Sequence, residues 1–322
     1  MTQIPRPEHP QPQMKREHWK NLNGEWDFSF DFGCSGIDQK WQEGKTDWEK
    51  KILVPFCPES DLSGIGYKDF IPGVWYHRTI TLTGEELKGD LLLHFGAVDY
   101  DARVWINGVE AGRHQGGYVS FTFNITKLVK KGENDITLFA ADDVRGGKQP
   151  KGKQSHFFYS RGCDYTRTTG IWQTVWLEWV PESYIEKVQY YPNLAEATLG
   201  IKAVVKGQGT LEAKAFYVGE PCGSVSAKSE GGTVTMTLPL SRLEKWEPGH
   251  GRLYDLTLTY GEDKVESYFG MREVRLDGEK FLINDKSVFQ RLVLDQGFYP
   301  DGIYTAPTEE ALVKDVEPVS YT

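Results

Sequence analysis

Residues 164–180 constrain the chain more than any other stretch. The part through Gly170 is polar and turn-prone, whereas Ile171 to Val180 is β-branched and aromatic, with Gln173, Thr174 and Glu178 as its polar members. That is the composition of a strand buried on both faces. Trp172, Trp176 and Trp179 fall within eight residues, and each ring needs a large apolar area to cover it. A loop able to touch a ligand therefore runs straight into the strand that anchors it.

The same alternation recurs along the first 180 residues. Trp26, Phe28 and Phe30 share one strand face after an Asn23-Gly24 turn. Tyr100, Ala102, Val104 and Ile106 share another, closed by Asn107-Gly108, and Val119, Phe121, Phe123 and Ile125 a third. Further strands are predicted at 51–56, 75–82, 90–96, 134–141 and 171–180, with 34 glycines and 16 prolines in the chain to supply turns. About eight strands with uneven loops predict a two-sheet jelly roll. Residues 1–18 carry four prolines and read as an extended arm on this domain. Two long segments stand out as functional or mobile loops, 55–66 and the Gly- and Lys-rich stretch 142–154.

Nine of the ten tryptophans precede Val180, and only Trp246 follows it. A domain boundary is placed at Pro181. Residues 183–275 hold about seven short alternating runs, among them Leu211, Ala213, Ala215 and Tyr217, then Val234, Met236, Leu238 and Leu240, then Tyr254, Leu256, Leu258 and Tyr260. Their number and size predict an immunoglobulin-like sandwich, in which Cys222 has no second cysteine to pair with. Beyond it, 281–288 reads as a hairpin, 289–294 as a buried strand, and the residues after Thr308 as a helix with Thr308 as N-cap and two acids in the first turn. That amounts to one β/α unit, incomplete as a barrel.

The net charge of −9 over 322 residues argues against nucleic acid or an anionic membrane as partners, because those surfaces require a basic stripe. Four scattered cysteines and seven scattered histidines show no metal-ligand spacing, so no metal and no cofactor is expected. No apolar run has the length of a membrane span, and the first ten residues lack a secretory core. The compartment stays open: cytoplasmic, or periplasmic with a signal peptide already removed.

Several segments in this order and spacing resemble the N-terminal part of glycoside hydrolase family 2, which holds β-galactosidases, β-glucuronidases and β-mannosidases. They are residues 22–28 (LNGEWDF), 74–78 (VWYHR), 93–100 (LHFGAVDY), 104–108 (VWING), the Thr169-Gly170-Ile171-Trp172-Gln173 core, and 281–286 (FLINDK). The resemblance implies an all-β chain of three parts: a jelly-roll sugar-binding-like domain (1–181), an immunoglobulin-like sandwich (182–276), and the truncated first β/α unit of a TIM barrel (277–322). It also implies a retaining glycosidase, β-galactosidase-like by preference, whose two glutamates stand about 5–5.5 Å apart across the anomeric carbon. Both belong late in the barrel, so neither has a position in this chain, and no catalytic residue is expected here. The adjacent acids Asp142-Asp143 and Glu309-Glu310 do not substitute, because neighbouring side chains diverge on strand and helix alike.

The resemblance places jelly-roll loops over the barrel mouth. An acid ahead of the Thr-Gly-Ile-Trp core, Asp142 or Asp143, would bond sugar hydroxyls, and Asp295 would stand at the C-terminal end of the first barrel strand. Family members carry a basic residue near that position, so Leu294-Asp295-Gln296 departs from their pattern. Glu59, Arg161, Tyr165 and Arg167 are further candidates for substrate contact, with local packing as the competing role. Carbohydrate is the expected partner, and an uncovered barrel strand would invite a homo-oligomer or pairing with the chain's own second sandwich. The alternative reading is a stand-alone carbohydrate-binding module.

Overall fold

The computed structural model describes residues 4–320. The chain forms two compact units. The first takes in Trp19–Trp179, the stretch ending at Pro10, and the residues from Leu294 on; the second takes in Gln11–His18 and Val180–Val293.

The core of the first unit is a two-sheet jelly roll. One sheet orders the strands Trp19–Asn21, Val175–Val180, Asp90–Phe95 and Phe121–Asn124; the other orders Lys50–Val54, Gly24–Phe30, Gly73–Leu82, Gly132–Ala141, Asp101–Ile106 and Val109–Gln115. Val175–Val180 has neighbours on both sides and buries Val175, Trp176, Leu177 and Glu178. Ile171 belongs to a separate two-residue strand, so the expected single strand 171–180 is broken at 172–174. Asn23-Gly24 is a turn, as expected, though not a hairpin one. Trp19–Asn21 pairs with Val175–Val180 and not with Gly24–Phe30, so the turn carries the chain from one sheet to the other.

Trp26, Phe28, Leu93, Val104, Leu138 and Leu177 meet between the sheets. The six-stranded sheet is apolar on its outer face too, where Trp75, Trp105 and Phe139 cluster beneath Ile37, Trp41 and Trp48 of the 31–49 segment. Asp31 fastens that cover, accepting from Ser35 N (2.9 Å), Gly36 N (2.8 Å) and Trp75 Nε1 (3.0 Å). Gly36 is required there, since a Cβ would lie 2.5 Å from Trp75 Nε1.

The second unit is a seven-stranded sandwich. Tyr184–Asn193, Thr198–Lys206 and Gly232–Pro239 form one sheet, and Glu220–Ser229, Gly209–Tyr217, Tyr254–Tyr260 and Asp263–Phe269 the other. The alternating sets Leu211/Ala213/Ala215, Val234/Met236/Leu238 and Tyr254/Leu256/Leu258/Tyr260 all face its core. Buried hydroxyls find backbone acceptors: Tyr254 donates to Arg242 O (2.9 Å) and Tyr260 to Gly207 O (2.8 Å). The N-terminal arm does not lie on the jelly roll throughout. Arg16 is buried in the second unit, donating to Asp263 Oδ1 (2.9 Å) and Oδ2 (3.0 Å).

After a small sheet of Val274–Asp277, Lys280–Ile283 and Lys286–Ser287, the expected barrel strand is absent. Residues 288–298 are not in a strand, and Phe289, Leu292 and Leu294 are 88%, 80% and 84% exposed. A parallel barrel strand takes its hydrogen bonds from two neighbours, and no second barrel strand stands among the described residues. The chain also does not add to the second sandwich; residues 299–306 pack on the jelly roll. The helix Glu309–Ser320 follows, with Thr308 Oγ1 accepting from Ala311 N at 3.2 Å, and it runs through Pro318 rather than stopping there.

Candidate functional site

Sheet register collects the site at one end of the jelly roll. Ala141 pairs with Gly73 on one side and with Asp101 on the other. The strand exit to Asp142, the end of the loop before Gly73 and the turn at Asp99 therefore lie side by side. Gly170-Ile171 pairs with Val98-Asp99 and delivers residues 164–169 to the same end. The chain returns a fourth time: Ser60 Oγ donates to Asp301 O (2.5 Å), and Thr305 Oγ1 donates to Trp172 O.

Three buried carboxyl groups underlie this end. Glu59 is completely buried, with Oε2 accepting from Thr169 N at 3.1 Å. Burial disfavours its charged form and pushes its pKa up to about 8. Asp142 accepts from Gln149 Nε2 (2.6 Å) and Thr169 Oγ1 (3.1 Å), and Asp99 from Gln154 Nε2 (2.7 Å). Burial raises both pKa values, with the neighbouring carboxylates adding to the effect. Gln154 completes the bracing by accepting from Thr168 N at 2.8 Å. Glu59 Oε1, Asp99 Oδ1, Thr168 Oγ1 and Arg167 Nε are buried without a partner.

Above this polar base lies a chain of aromatic rings. Tyr118 meets Trp172 edge-on at 5.6 Å, Trp172 meets Tyr304 at 5.8 Å, Tyr304 meets Phe298 at 5.9 Å, and Phe298 stacks on Tyr165 at 4.6 Å. Trp172 is fixed by its indole N–H to Gly117 O at 2.7 Å. Beside the rings, Lys151 Nζ donates to Asp164 Oδ2 at 3.0 Å and Lys153 Nζ to Gln296 Oε1 at 2.6 Å. Half-buried aromatic faces next to charged groups suit a ligand that is apolar on one side and hydroxylated on the other.

The candidates read from sequence separate on this geometry. Glu59, Tyr165 and Arg167 belong to the site, but Glu59 and Arg167 support it from below. The Arg167 guanidinium donates to the carbonyls of Ser155 (3.1 Å), Phe157, Phe158 (3.2 Å) and Lys68 and lies over Phe70, which ties loop 155–160 to loop 55–72. Asp142 likewise has both oxygens engaged by the protein, as a turn-bracing acid. Asp143 is exposed, its carboxylate lying over Gly146, where a Cβ would be 1.9 Å from Oδ2. Arg161 is exposed, pairs through its backbone with Asp164 and lies 5.1 Å from Phe157. Asp295 does not cap a barrel strand; it accepts from Gly297 N at 2.8 Å in an exposed turn. Asp99, Gln154, Asp164, Trp172 and Tyr304 were not among the sequence candidates. Asp164 had a signal, as the one acid within the turn-prone loop just before the buried strand. No group of His, Cys, Asp and Glu able to hold a metal ion occurs among the described residues.

Comparison with known proteins fits this arrangement. Residues 19–181 match "Glycosyl hydrolases family 2, sugar binding domain" and residues 183–272 match "Glycosyl hydrolases family 2". The β-glucuronidase of Sus scrofa is 27% identical over 319 residues, covering 87% of this chain and 48% of that protein. The β-galactosidase of Lactococcus lactis is 25% identical over 333 residues, covering 92% of this chain and 31% of that one. The β-glucuronidase of Ruminococcus gnavus superposes with a TM-score of 0.81 at 20% identity, covering 96% of this chain and 55% of that structure, and so shares the fold. The chain thus spans about half the length of the β-glucuronidases it matches, and it belongs to glycosyl hydrolase family 2.

Proposed function

We propose that this chain is the non-catalytic N-terminal portion of a retaining β-glycosidase, and that the loop cluster at the end of its jelly roll is one wall of a site for an acidic β-glycoside. In this reading 1–181 is the sugar-binding-like domain, 182–276 the immunoglobulin-like sandwich and 277–322 the start of the catalytic barrel. The two catalytic glutamates lie outside the chain.

The observation that carries the substrate class is the charge of the rim. Residues 143–165 hold Arg145, Lys148, Lys151, Lys153 and Arg161, none of them buried, against Asp143 and Asp164, in a chain whose net charge is −9. A locally basic rim on an acidic protein raises the concentration of an anionic ligand at the site. The Sus scrofa β-glucuronidase, at 27% identity against 25% for the Lactococcus lactis β-galactosidase, adds support in the same direction; this moves the preference from galactoside toward glucuronide.

Two measurements test the reading. The purified chain is expected to show no turnover of p-nitrophenyl β-glucuronide or β-galactoside, and turnover abolished by replacing one of its own acids would overturn it. In NMR titrations, D-glucuronate is expected to shift the Trp172 indole signal at lower concentration than D-galactose does, with the difference shrinking as salt is added. Equal response to both sugars would remove the acidic-substrate assignment.

A further inference from the structure

We propose that His77 works as a proton-operated clip: as the imidazolium it holds the 31–49 segment against the outer face of the six-stranded sheet, and when it loses its proton the segment loosens over Trp75, Trp105 and Phe139. The clip shares no residue with the loops of the site described above, and it does not depend on that site's reading.

The segment is fastened along its length. At its near end Asp31 accepts from Ser35 N, Gly36 N and Trp75 Nε1, and at its far end Glu49 N donates to Ser29 Oγ at 3.2 Å. Between these ends Trp48 lies flat on His77, with ring centroids 5.2 Å apart and planes at 10°. Lys45 Nζ lies 4.4 Å from the Trp41 ring and 5.7 Å from the Trp48 ring, and it pairs with Asp47 at 2.9 Å. Of these contacts, the one with His77 answers to a proton near neutral pH.

Sheet register sets the imidazole among acids. His77 stands opposite Asp27 in one neighbouring strand and Thr137 in the other, two residues from Asp135. Its Nδ1 lies 3.1 Å from Asp27 Oδ2 and its Nε2 3.0 Å from Asp135 Oδ1. A carboxylate oxygen only accepts, so both ring nitrogens must donate, and only the imidazolium carries both protons. The acids stay ionised. Burial works against the charge of Asp27, but Lys51, 2.7 Å from its Oδ1, and His77 outweigh that and hold its pKa below the ordinary value. Asp135 is more than half exposed to water and accepts from Thr79 Oγ1 at 2.9 Å.

Losing the proton turns one nitrogen lone pair toward a carboxylate oxygen. It also removes an ion pair and the cation stacked on the Trp48 face. The charged groups around the ring are Glu25, Asp27 and Lys51 on one side, Lys130 and Asp135 on the other, and Glu43, Lys45 and Asp47 in the segment itself. Such acids titrate near pH 4 and lysines above about 10, so between about pH 5.5 and 9 the proton this cluster loses is that of His77. Solvent reaches it through a cleft of about 360 Å³ that His77, Trp48 and Asp135 line together. The fastening is therefore present while the ring is protonated and is lost as pH rises through its titration. The opening is local, and the sandwich beneath stays folded.

The test is an NMR titration of the whole chain between about pH 5.5 and 9. The Trp48 indole signal, assigned by its loss in Trp48→Phe, is expected to move with the same midpoint as the His77 ring. Amide protection factors in 41–48, corrected for the intrinsic pH dependence of exchange, are expected to fall about tenfold across that midpoint. His77→Gln, which keeps a hydrogen-bonding side chain without the ionisation, should leave both flat. Asp135→Asn offers the neutral ring a donor for Nε2, and should abolish the fall in protection while His77 still titrates. A Trp48 midpoint different from that of His77, protection unchanged across it, or the same fall persisting in either variant overturns the proposal. Should His77→Gln fail to fold, the parent titration and Asp135→Asn decide.

Discussion

In the second unit the side chains that point between the sheets are aliphatic, aromatic, Met or Cys, and its buried polar residues are few: Arg16 and Asp263 paired with each other, Ser267, and Asn284 in the small sheet beyond. In the first unit the same kind of sandwich buries Glu59, Asp99, Asp142, Gln154, Arg167 and Glu178, most of them at one end. Burying such groups is costly unless they are bonded, and here most of their polar atoms are bonded to loop backbones, neighbouring side chains or each other, with Glu59 Oε1, Asp99 Oδ1 and Arg167 Nε left over. Polarity is thus concentrated where long loops must hold one conformation, and the other sandwich is packed almost throughout with apolar side chains. The difference marks the loop end of the jelly roll as the candidate site without reference to any ligand.

The largest expected effect lies in the second unit, and it would break the comparison if it failed. Asp263 is the second unit's one buried acid, accepting two hydrogen bonds from Arg16 and one from Ile185 N at 2.8 Å. Asp263→Ala leaves a buried guanidinium and a buried N–H without this acceptor, and is expected to cost about 3–5 kcal/mol in denaturant unfolding. A loss below about 1 kcal/mol would mean that Arg16 finds another partner and that the arm is not fixed.

The second prediction contrasts the units by pH. The Glu59 pKa is raised from 4.5 to about 8, so the folded protein holds a proton that the unfolded chain releases. Its contribution is full below pH 4.5 and is lost as pH rises toward 8, with a slope of at most about 1.4 kcal/mol per pH unit. Between pH 5 and 8 the first unit is expected to lose stability while the second changes little. Glu59→Gln, which keeps the shape without the ionisation, should flatten that slope. Thermal unfolding at pH 5, 6.5 and 8 in both proteins measures it; an unchanged slope would assign the effect to Asp99 and Asp142.

Much of this contrast could be read from the sequence, though unevenly. Alternation is a local property, so the sets around Trp26, Val104, Leu211 and Tyr254 all proved to face a core. The site is not local. Thr169 meets Glu59 across 110 residues and Arg167 meets Lys68 across 99, and no pattern in either segment announces the other. Asp142 became a candidate, with Asp143, because the family resemblance falls on that pair, but whether it faces ligand or protein depended on Gln149 and Thr169. Residues 289–294 had the composition of a buried strand and lack the neighbours that would make them one. Composition expresses a demand for burial; partners elsewhere in the chain decide whether it is met.

The smallest expected effect concerns the segment that returns to the loop end of the jelly roll. Thr305 is 1% exposed and donates through Oγ1 to Trp172 O, with Pro55 O at 3.4 Å. Thr305→Val keeps the branched shape and removes the donor, so it should cost about 0.5–1.5 kcal/mol, the usual net value of one hydrogen bond. That is too little to unfold the sandwich. It is enough to raise amide exchange in 299–306 by about three- to tenfold, because a short segment opens locally at a cost set by its few fastenings. Ser60 Oγ and Leu62 N (3.3 Å) to Asp301 O and Arg6 Nη1 to Ala306 O (3.1 Å) are further ones. If exchange rises in 299–306 and also across 164–172, the returning segment helps shape the aromatic wall. If it rises in 299–306 alone, Gln154 and the buried acids hold the wall unaided, and the first unit's polar end is organised without the C-terminal segment.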